Sequence, residues 1–194
     1  MRIKLLFILA AAITCISSAI WYIVPDSIHL LSFSGILFLK GEVWRIITYI
    51  FTHTSKTHLF ENIVALAAVS FLGYEFGLKE KEFLWYFFAA SIIIALTSIA
   101  IVPTFIIAGA SLGIYGVIGA LSIKGSSFIS KLTLIPIFAV SIFFKDIITV
   151  VTCPACEINA MQTAFHLSGF IAGIFLVTIP TKFKNKKNIL QEKT

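Results

Sequence analysis

The chain has 194 residues, 59% of them hydrophobic and 12% charged, with a mean hydropathy of +1.01. Soluble domains run nearer half apolar and a quarter charged, so this composition excludes a disordered chain and an ordinary cytosolic domain. The net charge of +6 does not point to nucleic acid: five lysines (Lys182, Lys184, Lys186, Lys187 and Lys193) stand in the last 13 residues, after an apolar run, as in a basic tail held at the cytoplasmic membrane surface.

A membrane span needs about 20 apolar residues, which gives room for about six. Residues 5–24 carry no charge and follow Arg2 and Lys4. Ser17-Ser18-Ala19 would suit a signal-peptide cleavage site, but the run is longer than an ordinary signal core and reads as a retained first span. Residues 25–57 mix Asp26, His29, Lys40, Glu42, Arg45 and Lys56 with apolar residues. This is a loop in the membrane interface, where Trp44 and Tyr49 are suited. A second span covers 58–77, with Glu61 and Glu75 near its ends, and LKEKE at 78–82 is a charged turn.

The next 41 residues, 83–123, carry no charge. Pro103 and Gly109 divide them into a helix over 83–100, an apolar loop to 110 and a helix over 111–123. At 1.5 Å per residue the last helix covers about 20 Å, short of the roughly 30 Å hydrocarbon core. Its first amides therefore lie at membrane depth, which lipid tolerates only where they meet protein or line a cavity. A helix that begins at Ser111 inside a protein-lined cavity is a candidate site.

A polar turn over 124–131 leads to a fifth span at 132–151. Lys145 and Asp146 interrupt it and mark either an early helix end or a buried ion pair. A sixth span covers 161–179. The expected fold is thus all-α: a six-helix membrane domain over 1–181 and a basic cytoplasmic tail over 182–194. With both termini inside, eleven Lys/Arg fall on inner segments and four on outer ones, as the positive-inside rule requires. No repeat of about 20–50 residues is visible.

Polar groups inside spans are costly and mark function. Gly109-Ala110-Ser111-Leu112-Gly113 is a G-x-S-x-G string, which in soluble hydrolases exposes a nucleophilic serine on a turn. Alone it reads equally as small residues that let helices pack closely. His166 in the last span is either a packed core histidine or the base a serine needs. Gly169 and Gly173 share its helix face at spacings of three and four, so that face can approach the short fourth helix and bring His166 to Ser111. His58 and Asn62, four apart, offer donors on one face for a developing oxyanion; His53, His58 and Glu61 are an alternative metal set. Cys153-Pro154-Ala155-Cys156 fits a loop disulfide on the outer side or a thiol-redox pair.

Together these residues resemble the rhomboid family of intramembrane serine proteases, from about Glu42 to Gly173. Glu42-Val43-Trp44-Arg45 with Thr48 and Phe51-Thr52-His53 resembles its W-R motif. His53, His58 and Asn62 match H-x-x-x-x-H-x-x-x-N. Gly73, Glu75 and Gly77 resemble the end of its second helix. Gly109, Ser111 and Tyr115 match G-x-S with a tyrosine one turn on, and His166, Gly169 and Gly173 match its final helix. Leu112 departs from the glycine that usually follows the serine, and the cysteine loop is an addition.

The resemblance implies a six-helix bundle with a water-filled cavity opening to the outer face, in a multi-pass plasma-membrane protein. Ser111 would be the nucleophile and His166 the general base of a dyad. His58, Asn62 and the Ser111 amide would hold the oxyanion. Tyr115 would pack under His166, and Trp44 and Arg45 would hold the first loop in the interface. Substrates would be single-span membrane proteins, with no metal or cofactor and no nucleic acid. The alternatives are a rhomboid-like protein that binds transmembrane clients without cutting them, and a thiol oxidoreductase.

Overall fold

The computed structural model describes residues 2–152 and 160–179. Helices run in the order α1 (Arg2–Ile23), α2 (Ser27–Leu31), α3 (Gly35–Leu39), α4 (Arg45–Thr48), α5 (Lys56–Glu75), α6 (Glu80–Ile101), α7 (Ser111–Lys124), α8 (Lys131–Thr152) and α9 (Ala160–Thr178). Among the described residues the one β pairing outside them is a single antiparallel bridge, Phe33 with Ile107. Among the described residues four stretches, Leu5–Ile23, Lys56–Glu75, Glu80–Ile101 and Ala160–Thr178, are long and apolar enough to cross a membrane.

The glycines of α7 let neighbouring backbones close in on it from two sides. A Cβ on Gly113 would stand 2.6 Å from the Phe87 ring of α6, and one on Gly116 would stand 2.9 Å from the Tyr86 carbonyl oxygen. On the other side, methyls on Gly119 and Gly173 would overlap the Phe170 and Gly116 carbonyls respectively. This is close apposition by small residues, the packing that works where lipid removes the hydrophobic drive. Phe83, Phe87 and Ala90 of α6 and Val117, Ala120 and Leu121 of α7 are fully buried at its centre.

Helix limits fall near the edges of the uncharged runs, with one difference that has a clear physical cause. α6 begins at Glu80, inside the charged turn. The Glu82 carboxylate accepts the Lys79 N–H at 3.0 Å and the Lys124 ammonium at 2.8 Å, so it caps α6 and ties it to the end of α7. α8 continues through residues 145 and 146 to Thr152, which rules out an early helix end at that charged pair. The side chains of Lys145 and Asp146, together with Cys153, Cys156 and the basic tail, lie outside the described residues.

The segment between α1 and α5 is more ordered than a plain interfacial loop. Its organiser is Arg45, which is only 4% exposed. The guanidinium forks onto the Glu42 carboxylate at 2.7 and 2.6 Å and also donates to the carbonyls of Ser32 (2.7 Å) and His29 (2.8 Å). Thr48 donates to the Leu31 carbonyl at 2.8 Å and half-exposed Trp44 to that of Leu30 at 3.5 Å. Carbonyls 29–32, which the end of α2 leaves without helical partners, are thus met by three side chains of the same segment.

Candidate active site

Ser111 is the first residue of α7. The chain reaches it through the bridge, in which Phe33 and Ile107 exchange two backbone hydrogen bonds of 2.9 Å. The Ile107 carbonyl, which stands where a continuing helix would pair the Ser111 N–H, accepts from Phe33 instead. Gly109 then turns the chain with φ +107°, a conformation closed to most L side chains. Its N–H donates to the Tyr49 carbonyl at 2.9 Å. A Cβ there would lie 2.7 Å from His58 Cε1, 2.9 Å from His58 Nε2 and 3.7 Å from Asn62 Nδ2. Glycine is therefore required twice, by the backbone angle and by the imidazole that fills the space.

His166 reaches the same place from α9. Its Nε2 lies 3.1 Å from Ser111 Oγ. The Tyr115 ring, one turn after Ser111, lies against the imidazole with centroids 4.5 Å apart and planes tilted by 31°. Gly169 permits this approach, since a Cβ there would stand 2.9 Å from the Leu112 carbonyl oxygen. Leu112, which stands where a glycine usually follows the serine, is 2% exposed, packs into the core and also lines the cavity beside Ser111.

The third wall comes from the start of α5. Ser55 caps that helix, its hydroxyl accepting the His58 N–H at 3.0 Å. Asn62 donates from Nδ2 to the His58 carbonyl at 2.8 Å, and Thr54 Oγ1 lies 3.1 Å from His58 Nδ1. Beneath, the buried His53 ring meets the His58 ring edge-on at 5.1 Å. Burial, and secondarily the charge of His58, push His53 down to about 4 against an opposing Phe51 carbonyl, so His53 is neutral at ordinary pH. The alternative metal set does not assemble: Glu61 is exposed, and among the described residues no three His, Cys, Asp or Glu are grouped to hold an ion.

Ser111, His166 and His58 line a common cavity of about 230 Å³. Trp44 and Arg45 do not line it. Arg45 orders the segment whose Tyr49 both accepts from Gly109 and, through its hydroxyl, donates to the Ser91 carbonyl of α6 at 2.9 Å. Thr54, Gln162 and the touching rings of Phe105 and Phe165 (centroids 5.2 Å apart) also line the cavity. Sequence reasoning missed all four. A signal existed for Gln162, a polar residue one turn before His166 on an apolar helix; Thr54 and the two phenylalanines converge only in three dimensions.

A hydroxyl in contact with an imidazole, beside a helix N-terminus and a second imidazole, is equipped for acyl transfer. A family model described as Rhomboid domain matches residues 40–183. The chain is also 30% identical over 149 residues to Rhomboid-like protease 3 of Toxoplasma gondii, a stretch covering 72% of this chain and 52% of that protein. The chain thus spans about half the length of the curated relative it matches.

Proposed function

The chain belongs to the rhomboid family, and on that premise we propose that it is an intramembrane serine endopeptidase with a Ser111–His166 dyad. The observation that carries this reading is the 3.1 Å contact between Ser111 Oγ and His166 Nε2. In the proposed reaction Ser111 Oγ attacks the substrate carbonyl carbon while its proton passes to His166 Nε2. The carbonyl oxygen becomes an oxyanion in the space beside Gly109, met by His58, Asn62 and the first amides of α7. Its collapse breaks the C–N bond as His166 returns the proton to the leaving nitrogen. Water, deprotonated by the same imidazole, then hydrolyses the acyl-enzyme.

In this reading all six long helices, α1 and α5 to α9, form the membrane bundle. Both termini face the cytoplasm and the cavity opens to the outer side of the plasma membrane. α7 has 14 residues, too few for the roughly 30 Å core, so Ser111 lies below the outer surface. Substrates are single-span membrane proteins in which small or helix-breaking residues unwind the helix and bare a carbonyl. The dyad needs no cofactor. A carboxylate beside His166 would be costly at that depth, and stacking on Tyr115 orients the ring in its place.

The test is cleavage of a fluorescent transmembrane-helix substrate in liposomes by wild type, Ser111→Ala and His166→Ala. Wild type cuts, and each substitution lowers kcat at least about 10³-fold. A folded wild type that binds but never cuts a panel of such helices would instead make the protein a client-binding member of the family. Cutting that survives Ser111→Ala would remove the dyad.

A further inference from the structure

His58 is held on both sides of its backbone. Its N–H donates to the Ser55 hydroxyl and its carbonyl accepts from Asn62. What the backbone leaves open is which ring nitrogen carries the proton of the neutral imidazole, and only an N–H can donate to an oxyanion. Nε2 faces Gly109, 2.9 Å from where that residue's Cβ would be, and is buried. Nδ1 faces the other way, 3.1 Å from Thr54 Oγ1.

We propose that Thr54 is a positioning residue that fixes the tautomer of His58: its hydroxyl donates to Nδ1, so the ring proton stands on Nε2 and points into the oxyanion space. The proposal rests on reading His58 as an oxyanion donor. Thr54 is suited to it in two ways. It is exposed, so water can donate to the hydroxyl while the hydroxyl donates inward, satisfying both of its capacities. It is β-branched, so χ1 is stiff and the hydroxyl stays aimed. The ring of His53 meets that of His58 edge-on, with centroids 5.1 Å apart. Thr54 falls at an unspecified position of the H-x-x-x-x-H spacing, so the motif does not point to it.

The experiment compares Thr54→Val, which keeps the shape and removes the hydroxyl, with Thr54→Ser, which keeps the hydroxyl. Thr54→Val lowers kcat about tenfold with KM unchanged, since a donor aimed at the transition state is weakened and ground-state binding is not. Thr54→Ser stays within about twofold of wild type. In parallel, ¹⁵N NMR of histidine-labelled full-length protein in detergent reads the tautomer directly. It finds His58 protonated at Nε2 in wild type and at both nitrogens in exchange in Thr54→Val. A wild-type His58 protonated at Nδ1, or an unchanged kcat in Thr54→Val, would overturn the proposal. A wild type that cuts nothing would overturn the functional reading instead, and the NMR result would still decide the tautomer.

Discussion

The two walls of the cavity are built by different physics. The wall of the proposed dyad, α7 against α9, is backbone on backbone: Gly119 meets the Phe170 carbonyl and Gly173 meets that of Gly116. The wall of the proposed oxyanion donors is a run of short helices and turns held by side-chain hydrogen bonds, from Arg45 through Tyr49 to Thr54, Ser55 and Asn62. Interlocked backbones have no room to give, so a methyl there acts nearly all or none. A hydrogen-bonded loop can lose one bond and keep the rest. The contrast teaches that the proposed dyad is fixed by the absence of side chains, and the proposed oxyanion donors by their presence.

The sharpest way to break this contrast is Gly173→Ala. The added methyl overlaps the Gly116 carbonyl, and neither backbone can step aside without parting the helices. We expect upward of about 3 kcal/mol lost, at or beyond the top of the usual range for overpacking. The readout is the yield of monodisperse protein and its thermal midpoint in detergent. A variant as stable as wild type would mean that the α7–α9 contact is looser than backbone apposition. Arg45→Ala comes next. It removes a buried cation from Glu42 and leaves the His29 and Ser32 carbonyls without it, at about 2 kcal/mol. Activity falls and residues 24–55 become sensitive to protease before the α7–α9 pair melts. A single cooperative loss of both walls would show that they are one unit.

Acid should loosen the oxyanion wall in particular. His53 is held down to about 4, against 6.5 when unfolded. Between those values the unfolded chain binds more protons than the folded one, so stability falls as pH drops through the window and levels off below about 4. The step from pH 6.5 to 5.5 costs about 1 kcal/mol. His53→Phe keeps an aromatic edge beneath His58 and removes this slope. Equal slopes in the two proteins, measured by thermal unfolding across that step, would mean that His53 carries no such load.

The same contrast sets how far the sequence could be read. The glycine spacing of Gly169 and Gly173 after His166 is a direct imprint of helix apposition, and it foretold that α9 could reach Ser111. The shortness of α7 was legible from the breaks at Pro103 and Gly109 and the charge at Lys124. The inner order of residues 25–55 was not, because Arg45 and Thr48 act on carbonyls 13 to 17 residues away in sequence. Backbone acceptors have no residue type to betray them. The early start of α6 was hidden for a related reason: Glu82 looked like part of a solvated turn, whereas its carboxylate has two partners, one of them 42 positions away.

The smallest expected effect sharpens the comparison from within the dyad wall. Tyr115 is half-buried, and its ring lies 4.5 Å from that of His166. It belongs to the rigid wall by position and touches the proposed base. If backbone apposition alone fixes the helices, Tyr115→Leu, which keeps most of the bulk, leaves the thermal midpoint nearly unchanged. What it removes is the aromatic face that orients the imidazole, worth about 0.5–1 kcal/mol. That corresponds to a fall in kcat of about two- to fivefold with KM unchanged. A drop in stability with kcat intact would reverse the assignment, making Tyr115 part of the packing and leaving the orientation of His166 to the glycine contacts alone.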